Sequence, residues 1–364
     1  MQGFDFKIPG VTLDFSAPVP TEELLSGIPT FLGVPMAKDG SWDVKRLTLW
    51  TQFEQVFEAT SDSFLEDTIR GFFENGGEIC YVVPLRDKGF QALRDGLEQT
   101  ELIENFDLIC VPDVVLHPQA VQLQQMVVDH CEQMGDRLAI LDALPDIDQQ
   151  RDFLKGRSAA IYAPWLKTEF SDRPVPPCGH IAGVFTRNDR TVGVHGTPAN
   201  IALEGVLDLT TLFTSAQQAD FIAGDRPAVN YIRAFTGRGM RIWGGRTIST
   251  DPEWCYVGVR RLFIQFKRWC DFNLADIAFE ENNFKLWLRI QREIAYYCET
   301  LWSQGALQGA TPEQAYFVRC DGSTNPREVI DQGKVITEVG LAPTVPNEFI
   351  HLTLVHGENG VAVN

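Results

Sequence analysis

At 364 residues the chain exceeds the size that one core usually serves, so about two domains are expected, each able to bury its own core. Thirty-one Lys and Arg against 49 Asp and Glu leave a formal charge of −18, which argues against nucleic-acid binding, because affinity for a phosphate backbone comes from many cations displacing counterions. No run of about 18 apolar residues is present to span a bilayer, and MQGFDFKIPG lacks the basic start and apolar core of a secretory leader, so the chain is expected to stay in the cytoplasm without inserting into a membrane.

In chain order, Phe4, Phe6 and Ile8 alternate, and Val11, Leu13 and Phe15 resume the alternation after Pro9-Gly10. This is the period-two pattern of a strand, followed by a linker, SAPVPTEELLSGIP. An apolar strand isolated at a terminus needs a sheet. It can join its own domain or add to the sheet edge of a neighbouring copy, and the residues leave both open. From Ile28 to Trp165 the runs EICYVVPL (78–85), DLICVPDVV (107–115), RLAILDAL (137–144) and AAIYAPWL (159–166) predict buried strands. FQALRDGLEQ and PQAVQLQQMVVDHCEQM between them carry helical spacing. Strand and helix in repetition predict an open, largely parallel α/β sheet. Such sheets often take a ligand at their strand ends, but no Gly-rich phosphate signature follows any of these strands and no cofactor is expected.

RPVPPCGHIAGVFTRNDRTVGVHGTPAN reads as a proline-rich connector, a helix over about 177–187 and a loop. Beyond Thr236 the texture turns aromatic and basic, which marks a candidate domain boundary. A helix is predicted from about Glu253 to Asn273, with Val259, Leu262, Phe263, Phe266 and Cys270 on one stripe and Arg260, Arg261, Lys267 and Arg268 on the remaining surface. Those cations read either as a solvated face paired with local carboxylates or as a docking face for an acidic partner. A second helix is predicted over about 283–304, with Gly305 placed as its cap, and Thr311-Pro312-Glu313-Gln314 looks like a further helix start. KVITEVGL and EFIHLTLV close the chain as strands, with Ile350, Leu352 and Leu354 on one face. The class is therefore α/β, α+β as a whole: an arm and linker (1–22), an open mixed α/β domain (23–235), a smaller α/β domain (236–345) and a C-terminal strand arm (346–364).

Chemistry finds little foothold in these residues. The eight cysteines are scattered without C-x-x-C or zinc spacing and read as buried thiols. Cys178 and His180 are the nearest approach to a nucleophile and base, but no orienting third group accompanies them. G-x-S-x-G, H-E-x-x-H and a Walker loop are absent. The glycines of TGRGMRIWGG read as tight turns rather than a phosphate cradle, since no strand-then-helix context surrounds them. No catalytic or metal-binding residue is assigned.

GIPTFLGVP (27–35), FLEDTIRGFFENGGEICYVVPL (64–85), RPVPPCGHIAGVFTRNDRTVGVHGTPAN, NYIRAFTGRGMRIWGGRTIS, YVGVRRLFIQFKR and LWSQGALQGATPEQAYFVRCD, in that order, resemble the sheath protein of contractile phage tails. The absence of an extra surface domain makes the chain similar to the minimal sheaths of tailocins and contractile injection systems. The resemblance implies a subunit that polymerises as stacked hexameric rings around an inner tube and contracts to drive that tube through a target envelope. Its implied partners are other copies of itself, the inner tube protein, and baseplate and terminator or cap proteins. Assembly in the bacterial cytoplasm, as part of a phage tail or tail-like particle, is implied too. In such a sheath Phe4–Phe15 and Glu348–Val355 would exchange strands with neighbours, and the smaller domain would face the tube. Arg260, Arg261, Lys267 and Arg268 are then expected to face the tube, so that charge reversal at Arg261 and Lys267 should leave folding intact. The competing readings are a non-polymerising baseplate or terminator component and a cytosolic hydrolase using Cys178 and His180.

Overall fold

A strand that is apolar at every position must be covered on both faces, and PTFLG, LAILD and AAIYA are buried at every residue. The computed structural model describes residues 24–344 except Asp39 and Ala59, together with the backbone of Ile350–Gly357 and Gly360–Val363. Its strands are β1 (Pro29–Gly33), β2 (Met36–Ala37), β3 (Lys45–Leu47), β4 (Phe57–Glu58), β5 (Cys80–Pro84), β6 (Leu108–Cys110), β7 (Leu138–Asp142), β8 (Ala159–Ala163), β9 (Leu166–Thr168), β10 (Val206–Leu209), β11 (Val229–Phe235), β12 (Gly239–Trp243), β13 (Tyr316–Arg319), β14 (Val335–Leu341), β15 (Ile350–Gly357) and β16 (Gly360–Val363). Eight of them form one sheet in the order β12-β11-β8-β7-β6-β1-β5-β3. The six central strands run parallel, and antiparallel β3 and β12 close the two edges.

Helices Leu65–Glu74 and Cys178–Thr191 cover one face, contributing Ile69, Phe72, Ile181 and Phe185 to its core. Helices Phe90–Thr100 and Ala120–Met134 cover the other with Leu93, Leu97, Leu123 and Val127. A third core lies between helices Val257–Asn273 and Phe284–Ser303 and strands β13 and β14, built on Phe263, Phe266, Ile290, Ile294, Val339 and Leu341. Gly305, at φ +78° just past the second of these helices, takes the left-handed geometry expected of its cap.

Two expectations change. The boundary placed at Thr236 falls in the turn of a hairpin, for β11 and β12 pair with each other over Tyr231–Phe235 and Gly239–Trp243 and both belong to the large sheet. The third core takes up the chain only near Trp254. The closing strand Ile350, Leu352, Leu354 is present as β15, and it pairs with β14 of its own chain: Leu341 opposite Ile350, Val339 opposite Leu352, Thr337 opposite Leu354. It completes an antiparallel sheet β13-β14-β15-β16. The N-terminal strand expected at Phe4, Phe6, Ile8, Val11, Leu13 and Phe15 lies outside the described residues.

The two helices on the first face touch through missing side chains. A Cβ at Gly179 would lie 1.9 Å from the Thr68 carbonyl oxygen, and one at Gly183 would lie 2.4 Å from that of Phe72. Neither obstacle is a flexible side chain, so the helices must part to admit even a methyl group. Gly179→Ala is expected to lower stability by about 1–3 kcal/mol through this overpacking, read as a fall in the urea midpoint at constant slope. An unchanged midpoint would contradict the contact.

Candidate functional site

Helix Val257–Asn273 starts where Tyr256 is still extended and runs between two cores. Val257 and Ile264 belong to the sheet's core, while Val259, Leu262, Phe263, Phe266 and Cys270 belong to the third. A helix enclosed on both sides leaves its polar side chains little room to reach water. Arg261 is accordingly 1% exposed and Arg260 6%. Arg261 Nη2 donates to Asp107 Oδ2 at 2.8 Å, and its two terminal nitrogens donate to the carboxylate of Asp189 at 2.6 Å each. Asp107 Oδ1 in turn accepts from the Ile28 backbone N–H at 2.8 Å. One guanidinium thus ties together the starts of β1 and β6, the end of helix Cys178–Thr191 and the helix on which it sits.

Electrostatics follow from that enclosure. Burial works to lower the pKa of Arg261, but Asp189 and Asp107 outweigh it and raise the pKa above the ordinary arginine value. Burial also raises the Asp189 carboxyl, against the pull of Arg261. With both guanidinium nitrogens 2.6 Å away, the carboxylate is the form this site holds. Arg260 donates to Ser158 Oγ at 2.9 and 3.1 Å and is pulled down to about 10 by burial. Arg268 donates to Gln265 Oε1 at 3.1 Å, leaves a buried nitrogen unpartnered, and is lowered by burial. Lys267 pairs with Asp271 one turn on, at 2.6 Å.

The expectation of a solvated or docking face formed by Arg260, Arg261, Lys267 and Arg268 is therefore corrected. Three of the four point into the protein, because the helix is covered on the side that the sequence left open. Charge reversal at Arg261 would set three carboxylates together in the interior, so it reports on folding and not on a surface contact. Asp107 and Asp189, which the sequence reading missed, are the residues that give Arg261 its role. Their signal was faint: an acid directly preceding the all-apolar LIC, and one near the end of an otherwise buried helix. On the same helix Gln265 Nε2 donates to the Leu24 carbonyl at 3.2 Å, which holds the first described residue in place.

Cys178 and His180 sit in the core of the first face. The thiol is pushed well above its ordinary value by burial, and the imidazole, pulled down to about 3 by burial, has no hydrogen-bond partner on either nitrogen. It lies flat over Phe170, ring centroids 6.1 Å apart. A protonated thiol and an unpartnered ring do not make a nucleophile and its base. Among the described residues no group of His, Cys, Asp and Glu is arranged to hold a metal ion, and no helix is long and apolar enough to cross a membrane.

Two measurements check these assignments. Arg261→Ala is expected to destabilise the fold by about 3–5 kcal/mol, the usual cost of stranding buried charges, in denaturant titrations; a loss under 1 kcal/mol would place the pair in water. Asp142 accepts from the Cys178 N–H at 2.8 Å and is raised by burial to about 7 from 3.8. The folded state therefore holds its proton more tightly than the unfolded chain, and this stability is present below about pH 4 and lost as pH rises through 7. Asp142→Asn keeps the acceptor without the charge, so it should exceed the parent by about 2–4 kcal/mol at pH 8 and match it near pH 4. Parallel pH profiles for the two proteins would refute this.

The geometry can be set beside known proteins. The family model of the phage tail sheath protein central domain matches residues 92–248, a span that runs from the helix after β5 through β12. Nearly the whole chain is similar to one in the cryo-EM structure of the anti-feeding prophage baseplate, six-fold symmetrised, with TM-score 0.78, 29% identity and coverage of 95% of this chain and 98% of that one. A chain in the cryo-EM structure of an extracellular contractile injection system, the PVC sheath complex in the contracted state, gives TM-score 0.76, 28% identity and coverage of 96% and 97%. The tail sheath protein of Salmonella phage ViI is 25% identical over 185 residues, which are 50% of this chain and only 28% of the phage protein's length. A central-domain match inside the large sheet and a fold shared over 95–96% of the chain with chains of two such particles make the chain similar to contractile phage tail sheath proteins.

Proposed function

We propose that the chain is the repeating subunit of a contractile sheath: it stacks as hexameric rings around an inner tube and shortens to drive that tube through a target envelope. The observation that carries this reading is that the likeness to a chain of a contracted sheath covers 96% of this chain, well beyond the central-domain match over residues 92–248. The role is structural, and the buried Cys178 and His180 give no reason to assign a hydrolase. Partners under this reading are further copies of the chain, the tube, a baseplate and a terminator. Assembly takes place in the bacterial cytoplasm, ahead of any release as a tail-like particle.

The lattice would be knitted by strands. β15 and β16 form a hairpin at the end of the chain, and β15 meets β14 through main-chain hydrogen bonds that any copy's β14 can accept. Exchange of this hairpin, and of residues 1–22, between neighbours would keep subunits linked while each turns as a rigid body. A second reading, a sheath-like component of the baseplate, draws on the likeness to a baseplate structure.

Electron microscopy of the purified protein separates the two. Long striated cylinders are expected, whereas discrete rings would favour the baseplate component. A chain lacking 1–22 and 346–364 should remain as discrete particles with unchanged near-ultraviolet circular dichroism. Cylinders identical to those of the intact chain would end the strand-exchange proposal.

A further inference from the structure

Between Asn230 and Thr250 the sequence holds Arg233, Arg238, Arg241 and Arg246 and no acidic residue, within a chain of net charge −18. The fold puts much of this stretch on a projecting hairpin. β8 pairs with β11 only as far as Tyr231, so the rest of the hairpin extends past the sheet, its other edge held by backbone bonds from Ile201 and Leu203. Ile232 and Ile242 fill the inner face. On the outer face, Arg233 lies over the rings of Phe235 at 4.6 Å and Trp243 at 5.8 Å, and those rings are 4.9 Å apart. At the tip, Gly237 and Gly239 both take φ +73° with nothing within 4 Å of a built Cβ, leaving Arg238 exposed between them. Among the described residues none of these four arginines is in an ion pair with a carboxylate. Stacking fixes Arg233 without neutralising it.

We infer that this hairpin is a docking element for the acidic surface of a second copy of the chain. The charge of −18 makes another copy attractive to the hairpin at long range, and makes the body of the chain repel a nucleic-acid backbone. A fitting counter-surface is present on the same molecule. Helix Phe90–Thr100 has no basic residue in its last turn, yet Glu98, Glu101 and Glu104 gather at that end, where the helix dipole already disfavours negative charge. Among the described residues these carboxylates form no ion pair, and Leu102 between them is 86% exposed. Several other acids are used internally: Asp276, Glu280 and Glu293 by Arg289, and Asp148 and Asp152 by Arg226. The acidic end of helix Phe90–Thr100 leads into the start of β6, whereas the hairpin runs on past the end of β8, so the two surfaces lie at opposite ends of the parallel strands and can meet head to tail between copies.

The inference relies on the proposed sheath only in choosing a second copy as partner, and its test is independent of cylinders. Sedimentation of the intact chain at about 50 mM salt should show concentration-dependent association that fades toward 1 M salt. Arg238→Glu, at an exposed tip with no packing to lose, should keep the same melting temperature and weaken association on the order of tenfold or more. Mixing Arg238→Glu with a Glu101→Arg, Glu104→Arg chain should recover association that neither shows alone. An intact chain that stays monomeric at every concentration, or an Arg238→Glu chain that associates normally, overturns the inference. So does normal self-association of Arg238→Glu alongside lost binding of a single-stranded oligonucleotide, which would make nucleic acid the ligand. If Arg238→Glu associates and builds cylinders like the parent, this inference falls while the sheath reading stands; salt-sensitive association through the hairpin without any cylinders gives the reverse.

Discussion

The contact on which the arrangement of the three cores depends is the one between Arg261, Asp107 and Asp189. Apolar packing alone would let helix Val257–Asn273 slide or turn against the sheet at small cost, because burial is roughly proportional to area and has no direction. Charges in a dry interior behave differently: each costs several kcal/mol to desolvate, and only good geometry offsets that cost. Arg261 meets its two carboxylates at 2.6–2.8 Å, and Asp107 is further held by the Ile28 N–H. Any shift of an ångström or two strands an ion. The clamp therefore selects one orientation between the large sheet and the third core, and the described residues between them behave as one body.

Rigidity of that kind matters for a lattice that changes length. If a subunit cannot bend, rearrangement has to be taken up at its connections, and the C-terminal sheet offers one. β14 is anchored from within, with Val335, Thr337, Val339 and Leu341 buried, and β15 pairs with it along its full length, Val335 to Leu341. The same main-chain bonds form whether the hairpin belongs to this copy or another. Exchange is then decided by reach and local concentration more than by bond strength. Thr344 is fixed by its bond to the Ala306 carbonyl, and the backbone from there to Ile350 spans on the order of 20 Å at full extension. For the proposed exchange, the Leu341 end of a neighbour's β14, which is the end that pairs with Ile350, would have to lie within that distance.

The legible parts of the sequence were those whose signal is local. All-apolar runs located β5, β7 and β8, and helical spacing located helices Ala120–Met134 and Phe284–Ser303, the second with Gly305 read as its cap; Gly305 takes positive φ as that role requires, and Gly135, which the sequence reading passed over, does the same after the first. Periodicity also gave the right stripe on helix Val257–Asn273, but it reports the angle of a residue around the axis and not what covers it. The carboxylates that claim Arg261 lie 154 and 72 residues away in sequence, and nothing local announces them. The hairpin β11–β12 was missed for the opposite reason. Its outer face carries Arg233 and Arg241 where alternation would lead one to expect simple polar residues, and aromatic stacking hides the period. The Gly-Arg-Gly turn flanked by Ile232 and Ile242 was the available clue.

The placement of charge bears on which assemblies the chain can form. In a two-fold dimer the same patch meets itself: a hairpin-to-hairpin contact would set Arg233, Arg238 and Arg241 against their own copies, and a contact at the end of helix Phe90–Thr100 would do the same for Glu98, Glu101 and Glu104. Like charges facing each other at an interface cost several kcal/mol, so both symmetric pairings are disfavoured without any steric block. Head-to-tail contact joins the unlike ends and leaves one of each free on every dimer. Growth then continues until a ring closes or a helix extends, which is the form of order that a sheath requires.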